Sequence, residues 1–167
     1  MLSGLALYML IADQEAGAEV YSVASKKDQA KIIYDETYNM VRQSPDLLQV
    51  IKKRKSDLYF PLTFSKFQPL GKNSDTLDGL NSSLVIIDEL HSIKDRNLYE
   101  VMKQSQSARR QPLLVMITTA GTVRECIFDD MYKPLAACES AHYRTSAFGR
   151  HVTSWPAQTE RITPRHR

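Results

Sequence analysis

Only two cysteines occur in the 167 residues, Cys126 and Cys138. They lack CxxC spacing and have no histidine pair beside them, which excludes a disulfide framework and a zinc site and fits a reducing cytosol. Long apolar runs are missing as well. The most hydrophobic stretch, "MLSGLALYMLIA" at the N-terminus, is too short to span a bilayer and has no basic residue before it. It reads as a buried helix, not as a membrane span or secretion signal. Charge of one sign is also scarce, since the formal net charge is only +3. Residues 140–167 carry five of the 22 basic residues but one of the 19 acids, so the excess sits in the tail. That tail has scattered apolar residues, two prolines and no sustained period, and a loosely ordered terminus is expected in preference to a nucleic-acid arm. Residues 1–139 are near neutral and long enough for one domain with a full core.

Short apolar runs alternate with longer periodic segments along this body. "AEVYSVAS" (18–25) reads as a strand, and from Lys26 to Arg42 apolar residues recur at helical spacing, with Ser25 as expected N-cap and Asp28 in the first turn. Pro45 ends that helix. "PDLLQVIKKRK" offers a short amphipathic successor, and "DLYFPLTF" an edge strand or hairpin because Pro61 interrupts it. "LVII" (84–87) reads as a buried strand, "DRNLYEVMKQSQSARR" as a helix, "PLLVMITT" as another strand, and residues 123–138 as a further helix. Strands that are apolar throughout, separated by helices, imply an α/β fold with a mostly parallel sheet covered on both faces.

In such sheets ligands gather at the carboxyl ends of the strands. "SSLVIIDELHSIKD" (82–95) matters for that reason: four apolar residues run straight into Asp88 and Glu89. An apolar strand delivering two adjacent carboxylates to that rim suits nucleotide hydrolysis, the first acid binding magnesium and the second polarising the attacking water. This is the Walker B pattern, although strands ending in solvated acids are common on other grounds. The next strand ends in "TTAGT" (118–122), whose hydroxyls beside a glycine turn could sense a terminal phosphate; an ordinary strand-to-helix turn has the same look. His91 could touch a phosphate or simply occupy a cap or loop. Arg109 and Arg110 read as a solvated helix end, with an arginine finger as the less favoured role.

A phosphate-wrapping loop of the form GxxxxGK[ST] is absent from the chain. The sole Gly-Lys pair, Gly71-Lys72, is followed by Asn73 and has Lys66 where the first glycine belongs. It is expected in a polar loop with no strong buried strand before it, and so is read as a decoy.

Taken together, "GLALYMLIADQEAGAEVYSVASKKDQAKIIYDET" and "TLDGLNSSLVIIDELHSIKDRNLYEVMKQSQSARRQPLLVMITTAGT" resemble the ATPase domain of the tailed-bacteriophage terminase large subunit, over about residues 3 to 135. The resemblance implies a RecA-like fold with flanking helices, ATP with Mg2+, and work on double-stranded DNA with a terminase small subunit and a portal in the host cytoplasm. Asp88 falls on the family's metal-binding aspartate, Glu89 on its catalytic glutamate, and Thr118, Thr119 and Gly121 on the motif that couples hydrolysis to movement. The family's phosphate loop would lie just before Leu2, where Met1 stands, and the nuclease domain of complete members is missing. These departures lead to the expectation of a truncated product: a partial ATPase domain at 1–139 lacking the P-loop strand, with neighbouring strands open to pairing in a homo-oligomer. The arginine supplied to a neighbouring subunit stays unassigned, because residues 67–87 contain none. A catalytically inactive prophage remnant acting as a binding domain is the alternative. A helicase-type ATPase shares the Asp-Glu-x-His order but needs a second lobe for which the chain has no room.

Overall fold

Strand β1, Glu19–Ala24, is buried from Val20 onward, so both of its faces are covered. Its apolar residues therefore need no polar alternation. It lies inside a six-stranded sheet of order β2-β3-β4-β1-β5-β6. The computed structural model describes residues 1–71, 77, 79–93 and 96–118. Thr119, Gly121, the expected helix at 123–138 and the tail at 140–167 lie outside the described residues.

The chain opens with helix α1, Leu2–Ile11, built from leucine, alanine and methionine, all strong helix formers. Glu19 follows a turn in which Gln14 and Gly17 take positive φ values of 57° and 64°. Helix α2, Lys27–Gln43, comes after β1. Its N-cap is Lys26 without a side-chain cap bond, not the expected Ser25. Ser25 is engaged instead by Ser92, whose Oγ lies 3.2 Å from its own. Helix α3, Pro45–Val50, is shorter than expected, because Lys52–Lys53 leave it as edge strand β2. Burial of Ile51 at the junction draws the chain back to the sheet.

Strand β3, Leu58–Phe60, pairs antiparallel with both β2 and β4, Ser65–Gly71. This is the hairpin expected around Pro61. The polar loop expected before Lys72 is in fact β4, parallel to β1 and buried at Ser65, Phe67, Pro69, Leu70 and Gly71. Its polar residues are accommodated individually. Lys66 Nζ pairs with Glu19 at 3.0 Å, and Pro69 opposes Ser22 in the ladder. Gly71 passes so close to α2 that an added Cβ would stand 3.0 Å from the Lys27 nitrogen. Only glycine fits that approach without a backbone shift.

Strand β5, Leu84–Ile87, pairs parallel with β1, and β6, Leu113–Met116, pairs parallel with β5. Helix α4, Arg96–Gln104, lies between them and ends before the residues Ser105 to Arg110 expected to extend it. Ser105 Oγ donates back to the Met102 carbonyl at 2.6 Å, a bond that competes with the helical ladder.

Successive side chains of the central strands point to opposite faces and make two cores. Val20, Leu84 and Ile86 pack with Leu7 and Leu10 of α1 and with Ile33, Tyr34 and Val41 of α2. Tyr21, Val23, Val85 and Ile87 pack on the other face with Leu98, Tyr99 and Met102 of α4. Each such large side chain contributes roughly 1.5 to 3 kcal/mol of burial. With four strands parallel, the carboxyl ends of β4, β1, β5 and β6 share one edge.

Candidate functional site

The rim is assembled by backbone bonds that continue the sheet past its strands. Asp88 N–H donates to the Val23 carbonyl at 2.8 Å, and Ile117 N–H to the Ile87 carbonyl at 2.9 Å. Leu90 N–H then donates to the Ile117 carbonyl at 3.1 Å. Glu89 is left between these ladder positions in the left-handed region, at φ 51° and ψ 55°. A residue with a β-carbon held there is strained by about 1 to 3 kcal/mol and persists only where its surroundings enforce the conformation.

The enforcing groups belong to the 3-10 turn that follows, Leu90–Ser92. Leu90 is buried beneath it. Ser92 Oγ donates to the Glu89 carbonyl at 2.9 Å and also meets Ser25 at the end of β1. On the other side His91 is bound to Thr118, its backbone N–H lying 3.2 Å and its ring Nδ1 3.0 Å from Thr118 Oγ1. The turn that follows the carboxylates is thereby tied to the ends of both β1 and β6.

Asp88 and Glu89 are each partly buried. Burial raises the Asp88 carboxyl above its ordinary range, and the neighbouring Glu89 charge pushes the same way; the Glu89 backbone N–H and His91 oppose the rise. Two adjacent, partly desolvated anions are relieved by a cation. Among the described residues no group of three or more His, Cys, Asp and Glu could enclose a metal ion. Magnesium keeps most of its waters and asks a protein for only one or two carboxylates besides substrate phosphates.

The fold brings Asp88, Glu89, His91 and Thr118 to this rim and leaves Arg109 at the opposite edge. Arg109 Nη2 donates to the Gly17 carbonyl at 2.6 Å and the Asn81 carbonyl at 2.8 Å, while Nη1 lies 3.5 Å from Glu15. With its side chain 8% exposed, it staples the loops that enter β1 and β5, and is not the solvated helix end expected for it. Arg110 is exposed. From the sequence Ser25 was expected only as an N-cap and Ser92 was not singled out, since a serine 67 positions away in the chain carries no local signal of contact. The apolar groove of about 640 Å³ lined by Ile11, Val50, Phe60 and Leu62 also lies at the far edge, away from the carboxylates.

The family model for the terminase large subunit, ATPase domain, matches residues 1–136. The terminase large subunits of Lactococcus phages p2 and SK1 are each 25% identical to this chain over 148 residues, covering 86% of it. The chain spans 27% of the length of these relatives. Among solved structures, the large terminase of bacteriophage HK97 superposes with a TM-score of 0.74 at 20% identity, over 84% of this chain and 30% of that one. The large terminase ATPase domain of Thermus phage P74-26 gives 0.59 at 21% identity, over 73% and 55%. These likenesses establish the RecA-like α/β fold with its flanking helices. With four-fifths of its length matched by that model, the chain belongs to the family of terminase large subunit ATPase domains.

Proposed function

We propose that the rim is the hydrolytic end of an ATP-driven, DNA-packaging motor domain. Asp88 would hold the magnesium ion that accompanies ATP, and Glu89 would accept the proton of the attacking water. Thr118, with Thr119 and Gly121, couples the loss of the terminal phosphate to movement. In this reading β5 and its two acids are the Walker B element. Magnesium would supply charge neutralisation to the phosphates of the nucleotide. The protein's own share is to keep Glu89 oriented by the 3-10 turn, so that its carboxylate meets water without reorganising. The observation that supports the reading best is the convergence of Asp88, Glu89, His91 and Thr118 on one rim in a chain of this family.

Double-stranded DNA, a terminase small subunit, a portal and further copies of this chain are the proposed partners, with the cytoplasm of a bacterial host as the place of action. The 167 residues contain no GxxxxGK[ST] loop, so this chain alone is proposed to bind Mg-ATP weakly and turn it over slowly. The same observation favours a second reading, a catalytically silent domain that engages DNA or another terminase chain. Phosphate release under saturating Mg-ATP separates them. Slow turnover that vanishes in Glu89→Gln supports the motor reading, and turnover equal in both proteins contradicts the role of Glu89. Absence of turnover in the wild type leaves the silent domain.

A further inference from the structure

The tip of the hairpin between β3 and β4 presents two of the most exposed large apolar side chains among the described residues, Leu62 at 80% and Phe64 at 73%. Phe64 also sits in the left-handed region, at φ 59°, where a bulky residue is strained. Bonds on either side hold it there. Gly17 N–H donates to the Thr63 carbonyl at 2.6 Å, Ala18 N–H to Ser65 Oγ at 3.1 Å, and Lys66 N–H to the Ala18 carbonyl at 2.9 Å. The apolar groove lined by Ile11, Val50, Phe60 and Leu62 adjoins this tip, and helix α3, which carries Val50, has no buried residue. Leu48 and Val50 are exposed as well. Beside this apolar strip runs a row of exposed cations, Lys52, Lys53, Arg54 and Lys55. Lys53 Nζ lies 3.9 Å over the Tyr38 ring, and Arg54 lies 3.4 Å over the Tyr59 ring with Asp57 3.7 Å away. Lys52, which lines the groove, and Lys55 have no acidic partner among the described residues.

We propose that this edge is a docking surface for an acidic amphipathic helix of a partner protein, whose apolar side chains fill the groove and whose carboxylates pair with Lys52 and Lys55. The surface lies apart from the nucleotide rim and does not depend on the reading given there. Two features set the chemistry of its occupant. The groove, Leu62 and Phe64 gain from burial against apolar groups, which a phosphate backbone does not supply, while the unneutralised lysines at the border favour anions. Duplex DNA would satisfy the cations alone. A helix with apolar residues at i, i+3, i+4 and i+7 and acids beside them satisfies both. Strand addition fits less well, because edge strand β2 is two residues long and both are lysine. The strain at Phe64 then has a use in recognition: glycine would suit the backbone but would remove the ring that the partner covers.

The probe is a synthetic helical peptide with leucines at i, i+3, i+4 and i+7 and glutamates at the flanking positions, titrated into the isotopically labelled 167-residue chain. Saturable shifts of the Val50, Lys52, Leu62 and Phe64 amides are expected, and added salt should weaken the binding. Leu62→Ser and Phe64→Gly should each weaken it by about tenfold or more. Phe64→Gly should at the same time raise the melting temperature, a combination that loss of folding cannot produce. Lys52→Glu together with Lys55→Glu should abolish binding of the glutamate peptide and confer binding of the same peptide with lysines in place of its glutamates. Absence of binding to the wild type, or binding indifferent to Leu62→Ser, Phe64→Gly and the charge reversal, overturns the proposal. Shifts of Lys52 to Lys55 with duplex DNA but none with the peptide assign the cations to nucleic acid and overturn it as well. So do shifts of Val50 and Leu62 that depend on protein concentration before any peptide is added, since a second copy of the chain then fills the groove.

Discussion

Asp88 and Glu89 occupy positions where function and stability pull in opposite directions. The Asp88 carboxyl is raised by burial, so its ionised form is disfavoured in the folded state relative to the unfolded chain. That penalty is fully present above the folded-state value and disappears once pH falls below the unfolded one. Asp88→Asn should therefore raise the melting temperature at neutral pH, with a gain that shrinks as the carboxylate range is crossed downward; thermal melts of both proteins over that range test it. A gain that grew on acidification would reverse the sign of the argument. Glu89 adds a backbone effect, because its φ of 51° suits glycine. Glu89→Gly and Glu89→Ala both remove the charge, but only glycine relieves the strain. Denaturant unfolding should find the glycine variant more stable than the alanine variant by about 1 kcal/mol. Equal stability would mean that the left-handed geometry is not a cost borne for placing the carboxylate.

At the scale of elements, what the sequence discloses depends on how each element is buried. β1 and β5 were legible because burial on both faces of a parallel sheet produces uninterrupted apolar runs such as Leu84 to Ile87; β6 was legible from its apolar run alone, since Leu113 to Val115 are only partly buried and Met116 is exposed. β4 was not. Lys66, Gln68 and Pro69 break its pattern, and it holds its place through partners distant in sequence, Glu19 for Lys66 and Ser22 for Pro69. The acid pair at the end of β5 was readable for the same reason as the strand. The link from His91 to Thr118 was not, since it spans 27 positions and depends on β5 and β6 being neighbours. Arg109 shows a comparable limit: in sequence it adjoins Arg110 at a helix end, yet it is the staple between loops entering β1 and β5. Arg109→Ala strands carbonyls at Gly17 and Asn81 and leaves Glu15 without its cation. It should cost about 2 to 3 kcal/mol, whereas Arg110→Ala stays within about 0.5. Urea unfolding of the two variants makes the comparison, and a similar small loss in both would remove the structural role assigned to Arg109.

For the molecule as a whole, the order of strands divides the labour between two edges. The amino-terminal edge of the parallel strands carries the Arg109 staple and the apolar groove beside Leu62. The carboxyl-terminal edge carries the partly buried acids, the left-handed Glu89 and the His91–Thr118 contact. No helix of the described residues is long and apolar enough to cross a membrane. The apolar α1 packs against α2 and the sheet. Replacing magnesium with paramagnetic manganese locates a nucleotide even when binding is weak, because resonances near the ion broaden strongly at partial occupancy. Titrating Mn-ATP into the isotopically labelled chain should broaden the amides of Asp88, Glu89, His91 and Thr118 first, and leave those of Leu62, Phe64 and Gly17 sharp. Broadening centred on the groove at the opposite edge, with the four rim amides unaffected, would contradict the account.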